Sequence, residues 1–106
     1  MSKYAISLLQ VPNQKISVNL QNAEGKYISV DIGLRSLYDG SLVADITVNG
    51  KIQRLCGMCT NLMPLIPTNT VGGNLYFQDI YGNNDPQFSE FNDRYQLIYD
   101  SEYKLV

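Results

Sequence analysis

Between Tyr4 and Leu55 apolar and polar residues alternate with period two, and no helical stripe is sustained for three turns. Side chains along a strand point to opposite faces of its sheet, so this pattern predicts half-buried strands. Ile16-Ser17-Val18-Asn19-Leu20 and Tyr27-Ile28-Ser29-Val30-Asp31-Ile32 carry it most clearly. A first strand is expected over Lys3–Leu9, with Tyr4, Ile6 and Leu8 on one face. Val11-Pro12-Asn13-Gln14 interrupts it, since proline cannot donate to a ladder. A second strand then covers Lys15–Leu20 and a third Lys26–Leu34. Between them Gln21-Asn22-Ala23-Glu24-Gly25 is a turn, closed by the positive φ that Gly25 can adopt.

Tyr38-Asp39-Gly40 marks the next turn, and Leu42, Ala44, Ile46 and Val48 then alternate with Val43, Asp45 and Thr47. Asn49-Gly50 is a strong hairpin signal, because both central residues of a type I′ turn need positive φ. A two-residue turn there places Thr47 opposite Ile52 and Asp45 opposite Arg54, an ion pair worth ~0.2–1 kcal/mol. Beyond Leu55 the alternation fails. Cys56 to Thr70, broken by Pro64 and Pro67, is expected to cross over one end of the fold. Val71-Gly72-Gly73 launches a strand over Asn74–Ile80, and Tyr81-Gly82-Asn83-Asn84-Asp85-Pro86 is a polar loop expected to form a mobile tip. Asp93-Arg94 opens a last strand with Tyr95, Leu97 and Tyr99 on one face. The expected fold is all-β: one domain over residues 1–106, a small antiparallel β-barrel or sandwich of about six or seven strands.

A chain of 106 residues supports one modest core, with a total stability of about 5–10 kcal/mol. Its formal net charge of −2 offers no basic stripe to displace counterions from nucleic acid, so nucleic-acid binding is not expected. No apolar run approaches the ~20 residues needed to cross a bilayer, and Met1-Ser2-Lys3-Tyr4-Ala5 does not lead into a signal-peptide core. Neither a membrane partner nor export is expected, and synthesis is placed in the cytoplasm. The chain has ten Asn and eight Tyr but only 17% charged residues. Tyrosine joins a flat apolar body to a polar tip, which suits a surface half buried against a neighbour, and it also serves as cross-strand filler within one chain.

Candidate chemistry is sparse, for the chain has no histidine and no tryptophan. Cys56-Gly57-Met58-Cys59 could form a redox pair or half of a zinc site, but it lacks further soft ligands and stands where no helix is expected to begin. Two small buried thiols filling core gaps is the simpler reading. Asn74-Leu75-Tyr76-Phe77-Gln78 resembles a protease-cleavage tag, yet it lies within an alternating run and is taken as native strand. Asp79, Asp85, Glu90 and Asp93 show neither the spacing of a calcium loop nor that of a catalytic pair. No metal, cofactor or catalytic residue is assigned.

Three segments carry a family likeness: Ile6-Ser7-Leu8-Leu9-Gln10-Val11-Pro12-Asn13-Gln14; Asn61-Leu62-Met63 through Gly72-Gly73-Asn74-Leu75; and Asn92-Asp93-Arg94-Tyr95-Gln96-Leu97-Ile98-Tyr99. In this order the chain resembles the small baseplate plug proteins of contractile-tailed phages, cyanophage plugs among them. The resemblance implies a non-enzymatic virion component at the tail tip, present in multiple copies and packed against hub, spike and tail-tube proteins. It would be made in the host cytoplasm, without a cofactor. Loops on a rigid scaffold are the usual place for contacts, so Val11, Pro12, Asn13, Gln14 and Tyr81, Gly82, Asn83, Asn84, Asp85, Pro86 are the expected interface. Two other readings stay open on the residues alone: a free-standing β-barrel binding module, and a thiol oxidoreductase using Cys56 and Cys59.

Overall fold

A computed structural model describes residues 3–69 and 71–105. Among them the chain forms β1 (Lys3–Ile6), β2 (Asn13–Gln21), β3 (Tyr27–Ser36), β4 (Leu42–Val48), β5 (Lys51–Met58), β6 (Asn74–Asp79) and β7 (Tyr95–Asp100), with a single 3₁₀ turn at Phe88–Glu90. All pairings between these strands are antiparallel. One sheet has the order β1-β7-β6 and the other β2-β3-β4-β5. The sheets stack as a sandwich and do not close into a barrel.

Alternation explains the core. Ile28, Val30, Ile32 and Leu34 of β3 and Leu42, Ala44, Ile46 and Val48 of β4 are buried, facing Leu75 and Phe77 of β6 and Tyr95, Leu97 and Tyr99 of β7. Each large side chain so buried contributes ~1.5–3 kcal/mol. Phe91 fills the space beside Phe77, their rings stacked at 5.7 Å. At the β4–β5 turn Asn49 and Gly50 have φ of 51° and 82°, as a type I′ turn requires.

Several boundaries differ from the sequence expectation for identifiable reasons. β1 stops at Ile6 because the Asn92 side chain takes both backbone groups of Leu8: Leu8 N–H donates to Asn92 Oδ1 at 3.0 Å, and Asn92 Nδ2 donates to Leu8 O at 2.6 Å. Asn13 and Gln14 are the first residues of β2 and not part of the bend. β5 continues to Met58 because it is bulged twice. Leu55 and Cys56 together oppose Asp45, and Gln53 is left without a partner. The Asp45–Arg54 pairing is thereby overturned, and Arg54 stands opposite Ile46. Asp45 instead meets Arg35 of β3 at 3.5 Å and accepts the Cys56 N–H at 2.7 Å.

The crossing segment does not cap an end of the fold. It runs along the outer edge of β6, where Leu62 N–H donates to Phe77 O at 2.7 Å and Leu65 N–H to Leu75 O at 2.8 Å. Asparagines fasten it. Asp79 N–H donates to Asn61 Oδ1 at 2.9 Å. Asn74 brackets Ile66, accepting its N–H at 2.8 Å and donating to its C=O at 2.7 Å. Much of the asparagine content therefore serves the scaffold, as substitutes for absent backbone partners.

Candidate interaction surface

The topology brings several of the connecting loops to one end of the sandwich, opposite the β2–β3 and β4–β5 turns. The bend between β1 and β2, the β3–β4 turn, the start of the crossing and the whole segment between β6 and β7 lie there, tied together side to side. Gln10 Nε2 donates to Phe91 O at 2.9 Å and to Asp93 Oδ2 at 3.1 Å. Asn61 N–H donates to Asp85 Oδ1 at 3.1 Å. Ser36 N–H donates to Pro12 O at 2.7 Å.

The polar loop Tyr81–Pro86 is built around Asp79, which is buried at the end of β6. Arg94 grips that carboxylate with Nε and Nη2, at 2.9 and 3.0 Å. The N–H groups of Tyr81 and Asn84 donate to it as well, each at 2.9 Å. The Asp79, Asp85 and Asp93 carboxylates are thus engaged in scaffolding, and among the described residues no group of three potential ligands could hold a metal.

Arg94 first, and then the two backbone N–H groups, hold the Asp79 carboxyl well below the usual carboxylate range. A carboxyl depressed in the folded state stabilises the fold above its unfolded pKa, about 3.9, and loses that contribution as pH falls below it. Urea midpoints are therefore expected to drop between about pH 5 and pH 2.5, and Asp79→Asn should show a flatter decline from a lower starting value. Parallel curves for the two proteins would contradict this role.

Around these fastenings, large apolar side chains are left in solvent. Leu9 and Val11 on the bend, Leu37 and Tyr38 on the β3–β4 turn, and Ile80 and Tyr81 after β6 are all exposed, Tyr81 to 76%. Val11 and Tyr81 belong to the two segments singled out from the sequence, and the structure brings both segments to the same end. Leu37 and Tyr38, on the turn that Tyr38-Asp39-Gly40 marks in the sequence, lie outside those two segments and are exposed at the same end. The tyrosines divide: Tyr76, Tyr95 and Tyr99 are buried filler, Tyr103 is half-buried, and Tyr4, Tyr27, Tyr38 and Tyr81 are exposed. A second exposed patch, Ile52, Leu55 and Met58, lies on β5, where the bulges turn side chains outward.

The cysteines are not the buried pair expected of them. Cys59 is buried, and burial pushes its thiol up to about 12. Cys56 is exposed, since the bulge sets it at φ 52°, and Arg35 Nη2 donates to its sulfur at 2.9 Å. Between them the Arg54 side chain lies over Gly57, where an added Cβ would fall 2.0 Å from Arg54 Cδ and displace that side chain. A water-soluble disulfide reagent should modify Cys56 rapidly and Cys59 only on unfolding. Equal rates at both thiols in the folded protein would contradict this environment.

The chain is thus a β-sandwich that uses many of its polar side chains for internal fastening and leaves aromatic and aliphatic tips exposed at one end. The family model described as cyanophage baseplate Pam3 plug gp18 matches residues 3–102. The chain belongs to that family, and so to the structural proteins of phage tail baseplates. No curated protein matches it.

Proposed function

We propose that this chain is a non-catalytic plug in the baseplate of a contractile tail, packed in several copies among the hub, spike and tail-tube proteins. The observation that carries this reading is the gathering of exposed Leu9, Val11, Leu37, Tyr38 and Tyr81 at one end of a scaffold whose loops are otherwise fastened. Such tips are the anchors that interfaces use, and a symmetric ring of copies suits an adaptor between rings of neighbours. In this reading Val11, Pro12, Asn13 and Gln14 meet one neighbour, with Tyr81, Gly82, Asn83, Asn84, Asp85 and Pro86 against the next. The chain is made in the host cytoplasm and resides in the virion.

Tyr38→Asp combined with Tyr81→Asp tests the reading, because exposed substitutions normally shift stability by only about 0.5 kcal/mol. The double variant is expected to melt within a few degrees of the parent and to be depleted at least about tenfold from purified tails, a loss of ~1.4 kcal/mol or more in binding. Incorporation at the parental level would overturn the assignment of this end as the contact.

A further inference from the structure

Three of the four sheet edges carry a device against further pairing. β6 is covered by the crossing segment, β5 is bulged twice, and β1 has only four residues. β2 has no such device. Its nine residues contain no proline and a single charge, Lys15, and they pair with β3 without a break in register. A long regular edge of this kind is a template for another strand, which free-standing domains normally avoid.

The hydrogen bonds tell which backbone groups are free. Ser36 N–H donates to Pro12 O at 2.7 Å and Asn22 N–H to Lys26 O at 2.8 Å, so the even-numbered residues of β2 face β3. Alternate residues of an antiparallel strand direct both backbone groups the other way. The N–H and C=O of Lys15, Ser17 and Asn19 therefore point out of the sheet. On β1 the same reasoning, from Ile80 N–H donating to Arg94 O at 2.9 Å and the pairing of Tyr4 with Tyr99, directs the backbone of Ala5 outward. Between these two edges lies a groove of about 540 Å³, lined among others by Tyr4, Ile6, Val18, Leu20 and Tyr27. Val18 and Leu20 remain only partly buried although they pack on the core.

We propose that the β2 edge accepts an extended segment of another baseplate protein as an added strand. This rests on the plug reading. The segment carries apolar side chains at alternate positions, which fill the groove, and its backbone pairs with Lys15, Ser17 and Asn19. Charge selects the occupant. Among the described residues Lys15 is in no ion pair, so a carboxylate on the outward face of the added strand complements it across the ladder. A second copy joined through its own β2 would leave Lys15 unmatched, because β2 has no acidic residue. Strand addition supplies affinity through the backbone and specificity through alternate side chains.

Hydrogen exchange across residues 13–21, in the isolated chain and in purified tails, tests this. In the isolated chain Ile16, Val18 and Leu20 are expected to be protected while Lys15, Ser17 and Asn19 exchange freely. In tails the latter three should slow by on the order of 100-fold or more. Asn19→Pro removes one outward N–H without touching the β3 ladder, so it should fold normally yet enter tails at least about tenfold less than Asn19→Ala. Unchanged exchange in tails that contain the chain, or normal incorporation of Asn19→Pro, would overturn strand addition alone. Absence of the parental chain from tails would overturn the plug reading and this inference with it. Concentration-dependent dimers of the isolated chain with a protected β2 would overturn the foreign strand in favour of a second copy.

Discussion

Gly73→Ala is expected to cost about 3–5 kcal/mol. Two effects add at this position. Gly73 has φ of 105°, a conformation L side chains rarely adopt, and such strain costs ~1–3 kcal/mol. A Cβ there would also lie 2.7 Å from Asp100 O, 2.7 Å from the Tyr99 hydroxyl and 2.9 Å from Ser101 Cα. Two of those atoms are backbone. The third cannot retreat freely, because the Tyr99 hydroxyl donates to Gly72 O, and burial keeps that phenol protonated with its pKa raised to about 12. Relief therefore requires β6 and β7 to move apart at the point where the crossing enters the sheet, a further ~1–3 kcal/mol. Gly50→Ala is the control, since Gly50 has a positive φ but nothing within 4 Å of its would-be Cβ. It should cost only ~1–2 kcal/mol. Urea unfolding of the two variants separates strain from crowding, and equal losses would contradict the close approach at Gly73.

Asn74→Ala is expected to cost about 3 kcal/mol through unmet hydrogen bonds. Asn74 is buried, and one side chain serves the N–H and C=O of Ile66 together with the N–H of Leu75. Alanine strands those groups where water is excluded, and each unmet group costs ~1–3 kcal/mol. The crossing, which carries the buried Leu65 and Ile66 into the core, loses its fastening to β6 at that point. Asn74→Asp offers a sharper test. It cannot donate to Ile66 O while ionised, and burial disfavours its charge, so its penalty should shrink as the pH is lowered. A stability loss below about 1 kcal/mol for Asn74→Ala would show that the crossing is held by its apolar side chains alone.

The parts of this fold legible in the sequence were those set by local chemistry. Alternation on β2, β3 and β4 gave their inner faces, and Asn49-Gly50 gave a turn whose φ values follow from the residue types. The Asp45–Arg54 pairing failed because a bulge is an insertion relative to a partner strand, and nothing in Gln53 or Leu55-Cys56 announces it. The exposed thiol of Cys56 follows from the same bulge. Which end of the sandwich carries Val11 and Tyr81 depends on how two sheets stack, and the open edge of β2 depends on strand order across the sheet. Neither is written in any window of sequence. Asparagine was abundant enough to notice, but only the tertiary fold shows that Asn61, Asn74 and Asn92 stand in for missing strand partners.

The most direct measurement is electron cryomicroscopy of tails assembled from the genome that encodes this chain, with and without it. The predicted result is a ring of sandwich-shaped densities at the baseplate, each matching this 11.9 kDa chain, with the loops around Tyr38 and Tyr81 set into neighbouring proteins. Complete tails that lack such density, with the chain left free in the lysate, would contradict a structural role in the baseplate.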